Sequence, residues 1–302
     1  MRFSVIIPAY NAADTLVACL DSVSGHGVEV IVIDDGSVDG TVAIASGYPG
    51  VKVLCQEHRG VSAARNAGIA GASGDYLLFV DADDTVFPGA IGLLDAALSG
   101  RTPDIVVMRS LCGREERYPW LGRMPEGAYM TGDDIGRRGY LRGSVCGCAF
   151  RRQYLAGNGL CFDETLSNAE DTVFLARAFS AGGRIVFRDI AFYSIDARPG
   201  SASRKLDASI VGRLGKALDV AARSIENSII RSRTCIGFIH SITETGIRTG
   251  MSYAEVKALA PIDSVFPLEK KGLGLTRFLV LLIRYCYPLF YRIKHIQMLL
   301  RK

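Results

Sequence analysis

Asp75-Tyr76-Leu77-Leu78-Phe79-Val80-Asp81-Ala82-Asp83-Asp84 decides how this chain is read. Its first six residues follow Ser73-Gly74, are mostly apolar and contain β-formers, the pattern of a buried strand. Three carboxylates then crowd the C-terminal end of that strand, the edge at which open α/β sheets bind ligands. Clustered carboxylates repel one another unless a cation or donors sit between them. The spacing of Asp81 and Asp83 suits a magnesium- or manganese-like ion shared with substrate phosphates. Magnesium is usually held by one or two carboxylates, with phosphate and water completing its shell. Taken alone, Asp-x-Asp is more often a solvated turn, so the rest of the chain has to decide. An EF-hand loop starting at Asp81 is excluded, because Val86 and Gly92 stand where Gly and Glu are required. One starting at Asp35 is excluded as well, with Ser46 at its last ligand position and a strand before it.

Outward from this strand the chain alternates. Residues 3–7 are an apolar β-branched run, ended by Pro8, which has no N–H to pair. Asp14 is the expected N-cap of a helix carrying Leu16, Cys19, Leu20 and Val23. A second strand over 28–33 ends in Asp34-Asp35-Gly36-Ser37. A helix over 41–46, a strand over 51–54 and a helix capped by Ser62 lead to the Asp81 strand. Beyond it come a helix over 88–98 and strands over 105–108, 144–150 and 184–189. Strand–helix units this short specify a parallel sheet with helices on its faces. Residues 112–129 are polar and hold the sole tryptophan, Trp120; they read as an acceptor-facing loop or as a simple connection.

The chain has 302 residues, 49% hydrophobic and 22% charged, enough for one large α/β domain with an appendage. Eight Lys and Arg lie within 270–302 without an acid, so a net +4 overall leaves residues 1–269 at −4. An acidic body argues against general nucleic-acid binding. The eight cysteines are scattered, with no Cys-x-x-Cys, which suits neither zinc nor a disulfide framework and points to a reducing compartment. The apolar start is too short for a signal peptide and is interrupted by Pro8 and Asn11.

Val5-Ile6-Ile7-Pro8-Ala9-Tyr10-Asn11, Ile33-Asp34-Asp35-Gly36-Ser37, Ala64-Arg65-Asn66-Ala67-Gly68 and Asp81-Ala82-Asp83-Asp84 stand in this order over the first third of the chain. Together they resemble the nucleotide-sugar-binding half of family-2 glycosyltransferases, which have the GT-A fold. The resemblance implies a Rossmann-like, mainly parallel sheet with helices on both faces. It implies a UDP-sugar donor, Mg2+ or Mn2+, and inverting transfer to a saccharide acceptor. Pro8, Ala9 and Tyr10 would cradle the base, and Asp35 would accept the uracil N3–H, a task suited to charge-assisted hydrogen bonding. Arg65 would lie near the base or diphosphate. Asp81 would touch the ribose and the metal sphere, and Asp83 would ligate the metal. Asp84 reads equally as a first-turn helix carboxylate. Relatives often carry a Trp and a Lys in the stretch matching 145–152; both are absent here, which bears on the acceptor and not the donor.

Glu170-Asp171 opens a helix with Val173, Phe174, Ala178 and Phe179 on its apolar side. Acids at a helix N-terminus are ordinary dipole partners, but the resemblance implies a catalytic base here, Asp171 first and Glu170 second. A base beside the acceptor hydroxyl makes it a better nucleophile. Arg198, with Ser201 and Ser203, resembles the loop that closes over the leaving diphosphate.

The expected organisation is a catalytic domain over 1–205, with a donor half to 110 and an acceptor half beyond, and a helical region over 206–302. Residues 206–248 read as helices with Ile210, Leu214, Leu218 and Ala221 on one face, packing on the core or on another subunit of a homodimer. The basic, aromatic tail lacks an uncharged run of about 20 residues. It suits an anionic membrane surface, or else a docked C-terminal helix. The expectation is a peripheral cytoplasmic enzyme on the inner face of the cell membrane, extending a lipid-linked saccharide in cell-surface polysaccharide synthesis. Two rivals are a nucleotide-sugar-binding protein without catalysis, opposed by the intact Asp81, Asp83 and Glu170-Asp171, and a sugar nucleotidyltransferase. The latter needs a Gly-rich basic loop after the first strand, where Pro8 to Ala13 is neither.

Overall fold

A computed structural model describes residues 2–25, 27–196, 207–260 and 276–299. The described residues form two compact units. One comprises 2–131, 142–167 and 182–196; the other comprises 132–141, 168–181, 207–260 and 276–299. The boundary expected at 205 falls outside the described residues. The segment that begins with Glu170-Asp171 belongs to the second unit.

The first unit is built on one sheet of ten strands among the described residues. They are β1 (Phe3–Ala9), β2 (Glu29–Asp34), β3 (Val51–Cys55), β4 (Tyr76–Phe79), β5 (Thr85–Val86), β6 (Ile105–Cys112), β7 (Glu115–Glu116), β8 (Tyr129–Met130), β9 (Cys148–Arg151) and β10 (Ile185–Ile195). The order is β3-β2-β1-β4-β9-β6-β10-β5, with β7 beside β6 and β8 beside β10. The chain adds strands on one side of β1 as far as β3 and then crosses to the other side with β4. That reversal opens a crevice between the carboxyl ends of β1 and β4. The strands flanking it are apolar on both faces: Val5, Ile6, Ile7, Leu77 and Phe79 are buried, as parallel strands covered on both sides must be.

The sheet is mainly parallel at its donor side, as expected, and mixed beyond β4. β9 runs antiparallel to both of its neighbours, β4 and β6. The chain turns into β9 at Gly147, whose φ of 81° suits a glycine. Arg142, buried at 2%, holds that turn by donating to the carbonyls of Met108, Cys146 and Gly147 and to Ser110 Oγ. Its guanidinium lies 4.6 Å from the Tyr118 ring centroid. Residues 112–129 are accordingly tied to the sheet through β7, β8 and a short 3₁₀ turn at Pro119–Arg123.

The helices are α1 (Leu16–Val23), α2 (Thr41–Ser46), α3 (Val61–Gly71), α4 (Ala90–Ala97), α5 (Gly132–Arg138), α6 (Arg152–Gly157), α7 (Glu170–Ser180), α8 (Ser209–Ser224), α9 (Ser228–Arg248), α10 (Tyr253–Leu259) and α11 (Thr276–Leu299). α1 starts after Thr15, one residue beyond the expected Asp14. α3 starts after Gly60, at φ 89°, and not at Ser62, which is buried in its first turn.

In the second unit, α8 buries Val211, Leu214, Leu218 and Ala221, with Val211 in the place expected of Ile210. Asn227 caps α9, accepting from the amides of Ile229 and Ile230 at 3.0 Å each. A Ser252–Glu255 capping box opens α10. α11 packs on α9 through buried Tyr287, Phe290 and Tyr291. Tyr287 and Thr243 share a 2.7 Å hydroxyl hydrogen bond, and Tyr291 donates to Met251 O at 2.5 Å. Of the two expectations for the tail, a membrane surface or a docked helix, these three aromatics follow the second. The exposed stripe of α11 is Leu289, Ile293 and Ile296. No described helix is long and apolar enough to cross a membrane.

α3 lies against β1 and β2, and Gly68 sets how close it comes. A Cβ there would sit 2.3 Å from Ile6 Cγ2 and 3.0 Å from Ile33 Cδ1, both fully buried side chains. Any side chain pushes the helix off the sheet. Overpacking costs about 1–3 kcal/mol, and Gly→Val recovers only about 0.4 kcal/mol in helix propensity. Gly68→Val is expected to destabilise the sheet unit by about 2–3 kcal/mol, read as a lower midpoint in urea unfolding followed by circular dichroism.

Candidate active site

The residues expected at the donor site converge at the carboxyl edge of β1, β2, β3 and β4. Pro8, Ala9, Tyr10 and Asp35 line a cleft of about 240 Å³, completed by His58, Gly60, Val61 and Ala64. Its walls come from three strand ends and the first turn of α3. Tyr10 is half exposed, and its ring stacks on His58 with centroids 4.2 Å apart.

Asp35 is the polar anchor of this cleft. It is buried at 3%, and its carboxylate accepts from Gln56 Nε2 at 2.6 Å, Arg59 N at 2.9 Å and Gly60 N at 2.8 Å. His58 Nδ1 stands 2.9 Å from Asp35 Oδ2 and 3.0 Å from the Asp35 carbonyl oxygen. A carboxylate has about four lone-pair sites. A ligand N–H must therefore displace one of these donors, and His58, with a side chain 57% exposed, is the one able to leave.

The opposite wall is braced by hydrogen bonds from the 36–41 loop. Asn11 N donates to Ser37 Oγ at 2.9 Å, Val38 N to Asn11 Oδ1 at 2.9 Å and Ala13 N to Asp39 Oδ2 at 3.1 Å. Asn11 holds φ 48°, a left-handed conformation that Asn tolerates better than most residues.

Arg65 and Asp81 form an ion pair at 2.9 Å; the arginine side chain is 4% exposed and the aspartate 36%. The guanidinium lies 5.3 Å from the Phe162 ring centroid. Next to it, Asn66 clips the same segment, donating from Nδ2 to Phe162 O at 3.0 Å and accepting Phe162 N at 2.8 Å. The three consecutive residues Ala64, Arg65 and Asn66 thus line the cleft, neutralise Asp81 and fasten a distant loop.

The three carboxylates after β4 differ in surroundings. Asp83 is exposed. Asp81 gives Oδ1 to Arg65 and presents the rest of its carboxylate at the crevice. Asp84 turns inward: it accepts Tyr193 OH at 2.5 Å and Asp196 N at 2.8 Å, and burial pushes its pKa up to about 6. It precedes β5 and is not a first-turn helix residue, so its work is to tie the turn to β10. Tyr193 also accepts from Asp81 N at 3.3 Å. Thr15 Oγ1 donates to Ala82 O at 2.7 Å, holding the turn from the side of α1.

Among the described residues, no group of three His, Cys, Asp or Glu side chains could hold a metal ion by itself. Asp81 and Asp83 offer one or two oxygens, a donor set that fits magnesium or manganese only when phosphate and water supply the rest.

Glu170 and Asp171 sit in the first turn of α7, in the second unit, with Asp171 buried at 9%. The preceding residue, Ala169, holds φ 61°. Arg198, Ser201 and Ser203 lie outside the described residues. His58, Gln56 and Gly60 were missed from the sequence. Their signal was position: like the other site segments, 56–60 follows the end of a strand, β3.

Residues 4–157 match the family described as Glycosyl transferase family 2. The succinoglycan biosynthesis protein ExoO of Rhizobium meliloti is 35% identical over 221 residues, covering 67% of this chain and 62% of that protein. The chain spans between 44% and 63% of the length of the first curated relatives it matches. The structure of Staphylococcus aureus TarS residues 1–349 superposes with a TM-score of 0.68 at 19% identity, covering 100% of this chain and 92% of that one. TarS has also been solved with UDP-GlcNAc, a superposition with a TM-score of 0.66 at 21% identity over 98% of this chain and 89% of that one. The mannosyltransferase PcManGT of Pyrobaculum calidifontis, solved with GDP-Man and Mn2+, has a TM-score of 0.59 at 18% identity, covering 97% and 84%. At these identities the superpositions establish the fold, which is the GT-A fold of TarS. The matched segment takes in all four motifs of the carboxyl edge, and with it the chain belongs to glycosyl transferase family 2.

Proposed function

We propose that this protein transfers a sugar from a UDP-sugar to a hydroxyl of a saccharide acceptor, with inversion at the sugar C1. The observation that carries this reading is the cleft of Pro8, Ala9, Tyr10, Asp35 and His58 at the same sheet edge as Asp81 and Asp83. An aromatic wall and a buried acceptor suit a base and its N–H, and an outward carboxylate pair suits a divalent cation that would carry the diphosphate. The relative named above for succinoglycan biosynthesis, and TarS with its UDP-GlcNAc complex, support a UDP-sugar and a role in cell-surface polysaccharide synthesis. A panel of UDP-sugars, scored by UDP release with and without acceptor, tests it; no release from any donor overturns it.

In this reading Tyr10 stacks on the base and Asp35 takes its N–H, with His58 giving way. Asp81 meets the ribose and, with Asp83, holds Mg2+ or Mn2+. When bound, such an ion supplies positive charge against the leaving diphosphate. Arg65 keeps Asp81 oriented, and Arg198 meets the diphosphate. The acceptor oxygen bonds to C1 as the C1–O bond to the diphosphate breaks and UDP departs with the electron pair. Asp171 receives the acceptor proton, with Glu170 positioning it or standing in for it. Burial of Asp171 at the start of a helix supports that role, because a fixed base needs no reorganisation at the moment of transfer.

The outer stripe of α11, Leu289, Ile293 and Ile296, is flanked by Arg292 and Lys294. We read it as an anchor on an anionic membrane and the acceptor as lipid-linked, which puts the enzyme on the cytoplasmic face. Cations near such a surface contribute about 1 kcal/mol each. A homodimer through the same face is the alternative.

Three outcomes are expected. Asp83→Ala should abolish transfer and metal-dependent UDP binding in calorimetry with the melting temperature unchanged; full activity would remove Asp83 from the metal. Asp171→Asn should keep UDP affinity while turnover falls roughly 10²-fold or more; an equal loss of donor affinity would take Asp171 out of the base role. Truncating α11 would also strip Tyr287 and Tyr291 from α9, so the anchor is tested by Leu289→Ser with Ile293→Ser. That pair should lose co-sedimentation with anionic vesicles and keep soluble-acceptor activity. A wild type that ignores such vesicles at low salt makes the stripe a protein contact.

A further inference from the structure

The amino edge of the same sheet carries a second cavity, of about 200 Å³, lined by Arg2, Asp75, Tyr76, Arg101, Arg151 and Arg152 among others. It lies where β1 and β4 begin. The donor cleft lies where β1 ends, so the two are separated by the length of a seven-residue strand, about 20 Å. Four arginines and one aspartate are among the residues that line it.

Two of the four are already neutralised. Arg2 pairs with Asp95 at 2.7 Å, and Arg151 pairs with Asp104 at 2.5 Å. The other two are not. Arg101 donates to Gly127 O at 2.7 Å and lies 5.3 Å from the Tyr129 ring centroid. Arg152 donates through Nε to Gly74 O at 2.9 Å. Among the described residues neither has a carboxylate partner, and the fork of each keeps further N–H donors. Arg151 adds a buried Nε without a hydrogen-bond partner. A buried donor left unmade costs about 1–3 kcal/mol, and a fold tolerates that more readily where a ligand completes the bond. Asp104, at 6% exposure, meanwhile fixes Arg151 by accepting from its guanidinium and from Arg184 N at 2.8 Å. The cationic wall is therefore held in place.

We infer that this cavity is a binding site for a phosphoryl anion, separate from the donor cleft. Guanidinium forks match the geometry of phosphate oxygens and hold them through charge-assisted bonds. At about 30 Å³ per water, the volume corresponds to about seven waters, which is room for a phosphate and a small substituent. A soluble phosphomonoester and the phosphate of a lipid headgroup share this chemistry.

The test titrates inorganic phosphate into the full chain at low ionic strength by calorimetry. Binding is expected in the wild type and in Asp83→Ala, and at least 10-fold weaker in the double variant Arg101→Gln with Arg152→Gln. No binding by the wild type, or equal binding by the double variant, overturns the site. Loss in Asp83→Ala with retention in the double variant also overturns it, by moving the phosphate to the donor cleft. Competition by glycerol phosphate identifies a soluble ligand. Co-sedimentation with phosphatidylglycerol but not phosphatidylcholine vesicles, lost in the double variant, identifies a headgroup. If the double variant does not fold, phenylglyoxal labelling of the wild type decides: phosphate must protect Arg101 and Arg152 in peptide mass spectra, and unprotected labelling overturns the site. None of these readouts depends on sugar transfer, so the donor assignment and this one can fail separately.

Discussion

The Arg65–Asp81 ion pair is the constraint on which the carboxyl edge depends. Asp81 ends a strand and Arg65 lies on a helix, so the pair fixes α3 relative to β4. Three things make that fixing firm. Gly68, one turn on, lets the helix approach to within contact of Ile6. The Phe162 ring covers the guanidinium, and a cation over a ring gains about 0.5–2 kcal/mol. Asn66 then ties the Phe162 segment back to the helix through both of its amide atoms. Removing the arginine would leave the Asp81 carboxylate without this partner, two residues from Asp83. Breaking a buried pair costs about 3–5 kcal/mol, and here the cost falls toward the low end because Asp81 is 36% exposed and can be hydrated.

The same sheet presents opposite charge at its two ends. Asp34, Asp35, Asp81, Asp83 and Asp84 gather at the carboxyl edge; Arg2, Arg101, Arg151, Arg152 and Arg184 gather at the amino edge. Each edge neutralises itself only in part. At the acidic edge Arg65 answers one carboxylate, and Asp84 responds to burial by holding its proton to about pH 6. At the basic edge Asp95 and Asp104 answer two arginines. What remains at either edge is a surplus of one sign beside a cavity, which is how a protein keeps affinity for an oppositely charged ligand without losing its fold.

The strands of the donor half were legible because buried parallel strands are continuous apolar runs, and each of the four motifs falls at the end of such a run or the start of the next helix. Asp35, Arg65, Asp81 and Tyr10 could be named from that rule together with the family resemblance. His58 could not, since Cys55-Gln56-Glu57-His58-Arg59 has the composition of any polar loop, and only folding sets it on Tyr10 and Asp35. β9 was read as a strand, but its antiparallel direction depends on Gly147 and Arg142, residues too far from a pattern of period two to register. The tail was ambiguous for a related reason. Tyr287, Phe290 and Tyr291 look the same in sequence whether they face lipid or protein, and α9 with Met251 and Tyr253 supplies the partners.

Two residues that are not glycine hold a positive φ among the described residues, Asn11 and Ala169. Each costs about 1 kcal/mol or more, and each adjoins a segment singled out for chemistry: Tyr10 in the cleft, Glu170-Asp171 at the start of α7. Asn11 recovers its cost through the hydrogen bonds that its side chain and amide make to the 37–38 loop. Ala169 has no such side chain. Its carbonyl accepts Val173 N at 3.1 Å as the first bond of the helix, so the turn that points α7 is made by a residue poorly suited to it. Glycine would relieve that strain and also loosen the entry into the helix. Keeping alanine trades stability for a fixed entry into the helix whose first turn carries Glu170 and Asp171.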